Sequence, residues 1–190
     1  VLARLLAQQL EPTLGQSMVV ENKAGAGGIL ATDTLAKAAP DGHTLMVAHD
    51  GNMAINTVLY KTLPYDPLKD FAAVAKLALN EFVLIAAPST GVRSYADFVA
   101  FVKSQGGKAT YASAGNGSPN HVFMEELLQK IGGTMLHVPY RGGAAAVTGV
   151  LGDQAQFMLA GIAPALGHIQ AGKLQAVAVT QGRRASILPE

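Results

Sequence analysis

The segment YASAGNGSPNH, residues 111–121, joins the end of a strand, a loop of small residues and the start of a helix. The run Thr110–Ser113 favours β-structure. Ser118 suits the N-cap of a helix, and Pro119 suits its first position. Because the first N–H groups of a helix have no partner within it, such a junction predicts a strand-loop-helix unit that can bind an anion.

The rest of the chain alternates in the same way. Helix-type patterns occur at 1–15, 29–40, 94–105, 119–131, 144–152 and 164–169. Strand-type runs occur at 17–22, 43–49, 71–79, 82–88, 134–139, 154–160 and 174–180. This alternation predicts an α/β fold with mostly parallel sheets.

Two similar strand-like runs, FAAVAKLAL (71–79) and LQAVAVT (174–180), enclose a self-contained set of strand-helix units. If both runs cross between domains, the chain forms two lobes. Residues 1–76 and 175–190 would then form lobe one, and residues 77–174 lobe two. The chain opens on a helix that no strand precedes, so we expect the protein to contain further residues at both ends.

Composition excludes several classes of protein. Charged residues make up 14% of the 190 residues and the net charge is +1, which argues against a nucleic-acid binder. No run of 18 apolar residues occurs, so the sequence predicts no membrane-spanning helix. The absence of cysteine excludes disulfides, zinc thiolates and cysteine nucleophiles. The five histidines lack metal-site spacing, so we expect no metal and no cofactor.

Two glycine-rich loops precede helices, one at 25–28 and one at 113–118. Neither matches the dinucleotide fingerprint G-x-G-x-x-G, because Leu30 and Asn120 stand at its last position, and no phosphate-binding P-loop occurs. Each loop alone could be an ordinary turn in which glycine supplies a positive φ. Two such loops favour a cleft, because ligands of open α/β sheets lie beyond the carboxyl ends of strands.

Polar residues near these loops are candidates for ligand contacts. His121 lies near its helix N-terminus, where a neutral imidazole could bind a ligand or complete the cap. His49, Asp50 and Asn52 directly follow a strand-like run. A hydrolase triad drawn from Ser113 or Ser118, a histidine and Asp50 is disfavoured, because no serine stands in a G-x-S-x-G turn.

A third junction, PYRGGAAA (139–146), places Tyr140 and Arg141 between a strand and a helix. The Arg141 guanidinium could attract an anion, or it could simply be solvated.

Taken together, these motifs resemble a known family. The chain contains VENKAGAGG (20–28), LPYDP (63–67), SAGNGS (113–118) and HVPYRG (137–142). This set, and the sequence between its members, is similar to the tripartite tricarboxylate transporter receptors, or Bug family, over essentially the whole chain. The resemblance implies a two-lobe periplasmic-binding-protein (Venus-flytrap, type II) fold with two crossing strands.

The resemblance also implies a function. Such receptors are monomeric periplasmic proteins that capture a small carboxylate between their lobes, largely through main-chain N–H groups and ordered water. They deliver it to the permease subunits of a membrane transporter, and they are not enzymes. The implied ligand-binding positions are Ala26, Gly27, His49, Asp50, Asn52, Ser113, Ala114, Gly115, Asn116, Ser118, His121, Tyr140, Arg141, Ala160 and Gly161.

One departure from the family bears on the ligand. Many members have Asp-Asn where this chain has Ala160-Gly161, and that aspartate can pair with the ammonium of an amino acid. We therefore expect a ligand without an ammonium group, such as a di- or tricarboxylate or an aromatic carboxylate. If Asp50 faced the cleft, it would repel a second carboxylate group, so a monocarboxylate ligand remains an alternative.

Two other functional classes are weaker alternatives. A nucleotide-dependent α/β enzyme of the doubly wound type is disfavoured by the failed fingerprints. A regulatory domain of the same flytrap fold would be marked by a DNA-binding segment, and none is recognisable in this sequence.

Overall fold

The computed structural model describes residues 2–188, so the predictions for residues 1, 189 and 190 lie outside the described residues. Its helices are α1 (Leu2–Leu14), α2 (Ile29–Ala36), α3 (Asn56–Leu59), α4 (Tyr95–Ser104), α5 (Pro119–Ile131), α6 (Gly143–Leu151) and α7 (Ile162–Gln170). Its strands are β1 (Phe82–Ala86), β2 (Thr110–Ser113), β3 (Leu136–Pro139), β4 (Phe157–Gly161) and β5 (Gln175–Val179).

The five strands form one sheet in the order β3-β2-β4-β1-β5. Strand β2 is parallel to both β3 and β4, whereas β1 is antiparallel to β4 and β5. The sheet is therefore mixed: four of its five strands run in the same direction, but two of its four strand pairs are antiparallel, so it is less parallel than predicted. Because β2, β3 and β4 run in the same direction, the loops that follow them emerge at one edge.

Helices cover both faces of this sheet. Apolar residues of α6 and α7 pack on one face, and Phe98 of α4 and Met124 of α5 pack on the other. All residues of β1 and β4 are buried, as expected for central strands that are covered on both sides. Helix α4 begins with a capping box, in which Ser94 and Asp97 bond each other's backbone N–H groups.

The N-terminal part, residues 2–80, differs from the prediction. The runs 17–22, 43–49 and 71–79 were predicted as strands, but they form no strand here. A strand requires a hydrogen-bonded neighbour, and these runs have none within residues 2–188. A π-helical turn at Gly51–Ile55 and the short helix α3 were not predicted. Of the two expected crossing strands, only 174–180 forms, as β5 in the sheet beside β1.

Candidate functional site

The two glycine-rich loops meet at a cleft of about 200 Å³. They approach closely, since a Cβ atom added to Gly27 would lie 2.8 Å from the carbonyl oxygen of Asn116. Seven of the predicted ligand-binding residues line this cleft: Ala26, Gly27, Ala114, Gly115, Asn116, Tyr140 and Arg141. The structure therefore brings together loops that are about ninety residues apart in the chain.

The first loop has an unusual backbone. Four consecutive residues have positive φ: Gly25 (131°), Ala26 (46°), Gly27 (61°) and Gly28 (90°). Glycine adopts such angles freely, but Ala26 does so at a cost, and strained residues of this kind cluster at functional sites. Among the described residues, no acceptor is found for the N–H groups of Ala26 and Gly27.

The N–H groups of the second loop fall into two sets, those with an acceptor in the protein and those without one. Gly115 N donates to Ser113 Oγ at 3.1 Å, and Gly117 N donates to His121 Nδ1 at 3.3 Å. The N–H groups of Ala114 and Asn116, the residues between and beside them, have no acceptor within residues 2–188. Both residues line the cleft, so their N–H groups are candidate donors to an anion.

The turn after β3 is fixed to this second loop. Tyr140 N donates to Ser113 O at 3.0 Å, and Gly142 N donates to Ala114 O at 3.2 Å. Arg141 stands between them at the rim, exposed and without an ion pair to any described residue. The backbone of Arg141 is thus held beside the cleft by the bonds of its two neighbours to the second loop.

The predicted residues His49, Asp50 and Asn52 lie outside the cleft lining. Asn52 is fully buried, accepts from His49 N at 2.9 Å and donates to Thr32 Oγ1 at 3.0 Å. Gly51 N donates to His49 Nδ1 at 3.0 Å. Desolvation lowers the pKa of His49, and the nearby Asp50 opposes this effect. These contacts join the π-helical turn to α2, behind the first loop.

Ser113, Ser118 and His121 also lie behind the cleft rather than in its lining. Ser113 is fully buried and Ser118 nearly so. Ser118 stands at the N-cap of α5 as predicted, but its hydroxyl donates to Gly115 O at 2.7 Å and makes no capping bond. The three side chains therefore shape the second loop, whereas the prediction that they contact the ligand remains a prediction.

Ala160 and Gly161 lie at the end of β4, at the same sheet edge but away from the cleft. Ala160 is fully buried in the core and pairs with Val83 of β1. Gly161 is also buried, with the side chain of Asn80 close by. Their predicted ligand contact therefore has no counterpart in the cleft lining.

Sequence reasoning missed four residues that matter here. Gly25 and Tyr60 line the cleft. Asn56, fully buried, donates from Nδ2 to Gly27 O at 3.3 Å, and its Oδ1 has no partner among the described residues. His137 contacts Ser113 Oγ through Nε2 at 2.6 Å. Gly25 could have been predicted, because it belongs to the same glycine-rich loop as Ala26. No sequence pattern marks the short helix that contains Asn56 and is followed by Tyr60.

The electrostatics of the cleft suit an anion. Its lining contains one cationic side chain, Arg141, and no carboxylate. The donors are backbone N–H groups beside a helix N-terminus, which carries a partial positive charge. Within the part of the chain that the structure describes, no cluster of His, Cys, Asp or Glu could hold a metal ion.

Comparison with known proteins gives consistent relatives. The profile of the tripartite tricarboxylate transporter family receptor matches residues 2–190. Protein BugT of Bordetella pertussis is 33% identical over 190 residues, which is 100% of this chain and 58% of BugT.

Two solved structures with bound carboxylates are similar. R. palustris Rpa4515 with adipate has a TM-score of 0.93 and 30% identity, covering 96% of this chain and 61% of that one. MatC from Rhodopseudomonas palustris with bound malate has a TM-score of 0.89 and 33% identity, covering 96% of this chain and 62% of that one. The chain thus spans about three fifths of the length of these relatives.

The predicted periplasmic-binding-protein fold is confirmed by the similar structure of periplasmic binding protein BugD, which has a TM-score of 0.91 and 33% identity and covers 96% of this chain and 61% of that one. The predicted family is confirmed by the profile. The glycine-rich loops, the fold and the sequence match agree. This chain belongs to the tripartite tricarboxylate transporter receptor family.

Proposed function

We propose that the protein containing this chain is a periplasmic solute-binding receptor that captures a small carboxylate between its two glycine-rich loops. The observation that carries the proposal is that four residues lining one cleft, Ala26, Gly27, Ala114 and Asn116, have backbone N–H groups without an acceptor among the described residues. Two come from each loop, so a carboxylate that accepts from both loops joins the two sides of the cleft. Such charge-assisted hydrogen bonds are among the strong ones.

Neutral donors suit a receptor that must also release its ligand. A lysine or arginine buried at the site would be left without a counter-charge when the carboxylate leaves, whereas backbone N–H groups leave no buried charge. Ordered water can supply further bonds at little loss in strength. Opening of the two sides would separate the donors and release the carboxylate.

The ligand class follows from the charges at the rim. Arg141 supplies one cation for a second carboxylate, and no lining carboxylate is present to pair with an ammonium group. We therefore favour a di- or tricarboxylate or an aromatic carboxylate over an amino acid. Adipate and malate, the molecules in two similar structures, are both dicarboxylates. Asp50 lies outside the lining, so it gives no reason to prefer a monocarboxylate.

An enzyme is the weaker alternative. Ser113 and His137 form a close pair, but Ser113 is fully buried and lies outside the cleft lining, so a substrate cannot reach its hydroxyl. The cleft of about 200 Å³ is also small for a nucleotide, since drug-sized ligands occupy pockets of roughly 300–1,000 Å³. Within residues 2–188, this cleft therefore favours neither a nucleotide-dependent reaction nor acyl transfer.

The family suggests the rest of the assembly. We propose that the receptor is monomeric, works in the periplasm and delivers its ligand to the membrane subunits of a tripartite tricarboxylate transporter. No helix within residues 2–188 is long and apolar enough to cross a membrane. We also propose that residues 1–76 and 175–190 belong to lobe one and 77–174 to lobe two, with β5 as a connection that pairs with the sheet of lobe two.

A thermal-shift screen of the full-length protein tests the proposal. The probes are adipate, malate, citrate, benzoate, aspartate, glutamate, ATP and NAD. A ligand at a hundred times its Kd adds about 2.7 kcal/mol, which raises Tm by roughly 5–10 °C. We expect a rise with a carboxylate that lacks an ammonium group. A rise with only ATP or NAD would overturn the receptor proposal, and a rise with only aspartate or glutamate would overturn the ligand class.

A further inference from the structure

The second loop is supported by a stack of rings that lies outside the cleft lining. His137 of β3 and His121 of α5 stack with their ring centroids 4.1 Å apart and their planes 18° apart. His137 also stacks on Tyr111 of β2, its register partner in the sheet, at 4.9 Å. The tyrosine hydroxyl in turn bonds Glu125, one helical turn after His121. The stack is thus built from two strands and the helix that covers them.

Two ring nitrogens of this stack hold the loop. His121 Nδ1 accepts from Gly117 N at 3.3 Å. His137 Nε2 lies 2.6 Å from Ser113 Oγ, and that hydroxyl oxygen accepts from Gly115 N at 3.1 Å. The N–H groups of Gly115 and Gly117 are therefore directed away from the cleft. The N–H groups of Ala114 and Asn116, which alternate with them, are the ones left for an anion.

These bonds constrain the charge of the rings. His121 Nδ1 can accept a hydrogen bond only while that nitrogen carries no proton, which requires the tautomer protonated at Nε2. His137 is surrounded by Tyr111, Ser113, His121 and Glu125. Burial and the neighbouring His121 lower the pKa of His137 to about 4, although Glu125 opposes them. His137 therefore stays neutral at neutral pH.

We propose that His121 and His137 are positioning residues of the carboxylate site: they fix Gly117 N and Ser113 Oγ so that the N–H groups of Ala114 and Asn116 remain available to the ligand. This inference rests on the proposed carboxylate receptor and adds a specific support for one half of it. Neither ring lines the cleft, so both act through the loop and not through contact with the ligand.

Pairs of variants separate the acceptor from the ring. His121→Asn places an amide oxygen near the position of Nδ1 and keeps the acceptor, whereas His121→Phe keeps the stack and loses it. His137→Gln keeps a polar group near Nε2, whereas His137→Phe does not. Binding of adipate and malate to the full-length protein is measured by calorimetry. Each Phe variant should bind about tenfold more weakly, the size of one lost hydrogen bond, and each amide variant within about threefold of wild type.

A matched control is His43→Phe, because His43 is exposed and its side chain makes no recorded hydrogen bond among the described residues. It should bind like wild type. Equal affinities for the Phe and amide variants would overturn the positioning role, since a purely structural ring would be served by Phe. Failure of wild type to bind any carboxylate in the screen would instead overturn the receptor proposal.

Nitrogen-15 NMR of the histidine rings tests the inference without any ligand. We expect His121 to be protonated at Nε2 with Nδ1 free to accept, and we expect the amide of Gly117 to lose its exchange protection in His121→Phe but not in His121→Asn. A His121 ring protonated at Nδ1 at neutral pH would overturn the proposal, whatever the affinity measurements show.

Discussion

The two loops that form the cleft have similar sequences but different supports. The second loop stands on a buried sheet, and the side chains of Ser113, Ser118 and His121 bond its backbone. The first loop leads into the short helix α2, and the recorded side-chain bond to its carbonyl at Gly27 comes from Asn56 at 3.3 Å. The second loop is therefore held by side chains of its own strand-helix unit. The first loop is held by Thr32 of α2, which donates to Gly28 O at 2.9 Å, and also by Asn56, about thirty positions along the chain.

Because their supports differ, the two loops should respond differently to substitutions. The second loop should tolerate changes elsewhere, because its supports fold with the sheet. The first loop depends on positive φ angles and on the amides of the 51–60 segment, so its shape should change more easily.

Gly27→Ala should weaken adipate binding by about 100-fold or more, since the two loops must separate to make room for the added Cβ atom and their N–H groups can then no longer bind one carboxylate together. The added Cβ would meet the carbonyl oxygen of Asn116 at 2.8 Å, a backbone atom that cannot rotate away. Calorimetric titration measures the loss. Gly42→Ala is the matched control, because Gly42 has a φ of +81° and nothing within 4 Å. An equal loss in both variants would show that the loops need not touch.

Asn56→Ala should destabilise the protein by about 1–3 kcal/mol, since it removes a buried amide and leaves Gly27 O without its donor. The affinity for adipate should fall with it, because the first loop loses its support. Urea denaturation and calorimetry measure the two effects. Asn80→Ala, at an exposed position, provides the comparison. A stable variant with wild-type affinity would show that the first loop supports itself.

Acidification should destabilise the protein through His137. Folding lowers the pKa of this ring from its ordinary value of 6.5 to about 4, so between these values the unfolded chain binds more protons. Stability should therefore be constant above pH 6.5 for this group and fall as the pH drops towards 4, by about 1–2 kcal/mol after allowance for partial exposure. Denaturation of wild type and His137→Gln at several pH values measures it. An unchanged pH profile in the variant would contradict the assignment.

Arg141→Gln should weaken dicarboxylate binding about two- to fivefold, because an exposed ion pair contributes about 1 kcal/mol or less. Adipate should lose more than a monocarboxylate of similar length, such as hexanoate, and added salt should shrink the difference. Arg183→Gln, another exposed position, is the matched control. Equal losses for adipate and hexanoate would place the second carboxylate away from Arg141.

The sequence predicted the sheet region better than the N-terminal part for a physical reason. Helix α5 begins at Pro119 and ends at Ile131 as expected, because its start and stop signals are local. The strand-like run 43–49 has equally good local signals, yet a strand exists only when another strand pairs with it. Pairing is a long-range property, and apolar periodicity does not report it.

The site was predictable at its backbone and less so at its side chains. Glycine-rich loops before helices identified both donors and cleft. The sequence placed Ser113 and His121 next to those donors but could not say on which side of the loop their side chains lie. Tyr60 and Asn56 escaped notice because α3 is one turn long and carries no amphipathic pattern.

The alternation of N–H groups in the second loop has an evolutionary consequence. The donors that we propose for the carboxylate belong to the main chain, so substitution of Ala114 or Asn116 by most other residues leaves the donor itself in place. At Arg141 the proposed contact comes from the side chain, so a substitution there removes it. The residues that select a ligand can therefore change during evolution, while the backbone N–H groups proposed to bind its carboxylate stay the same.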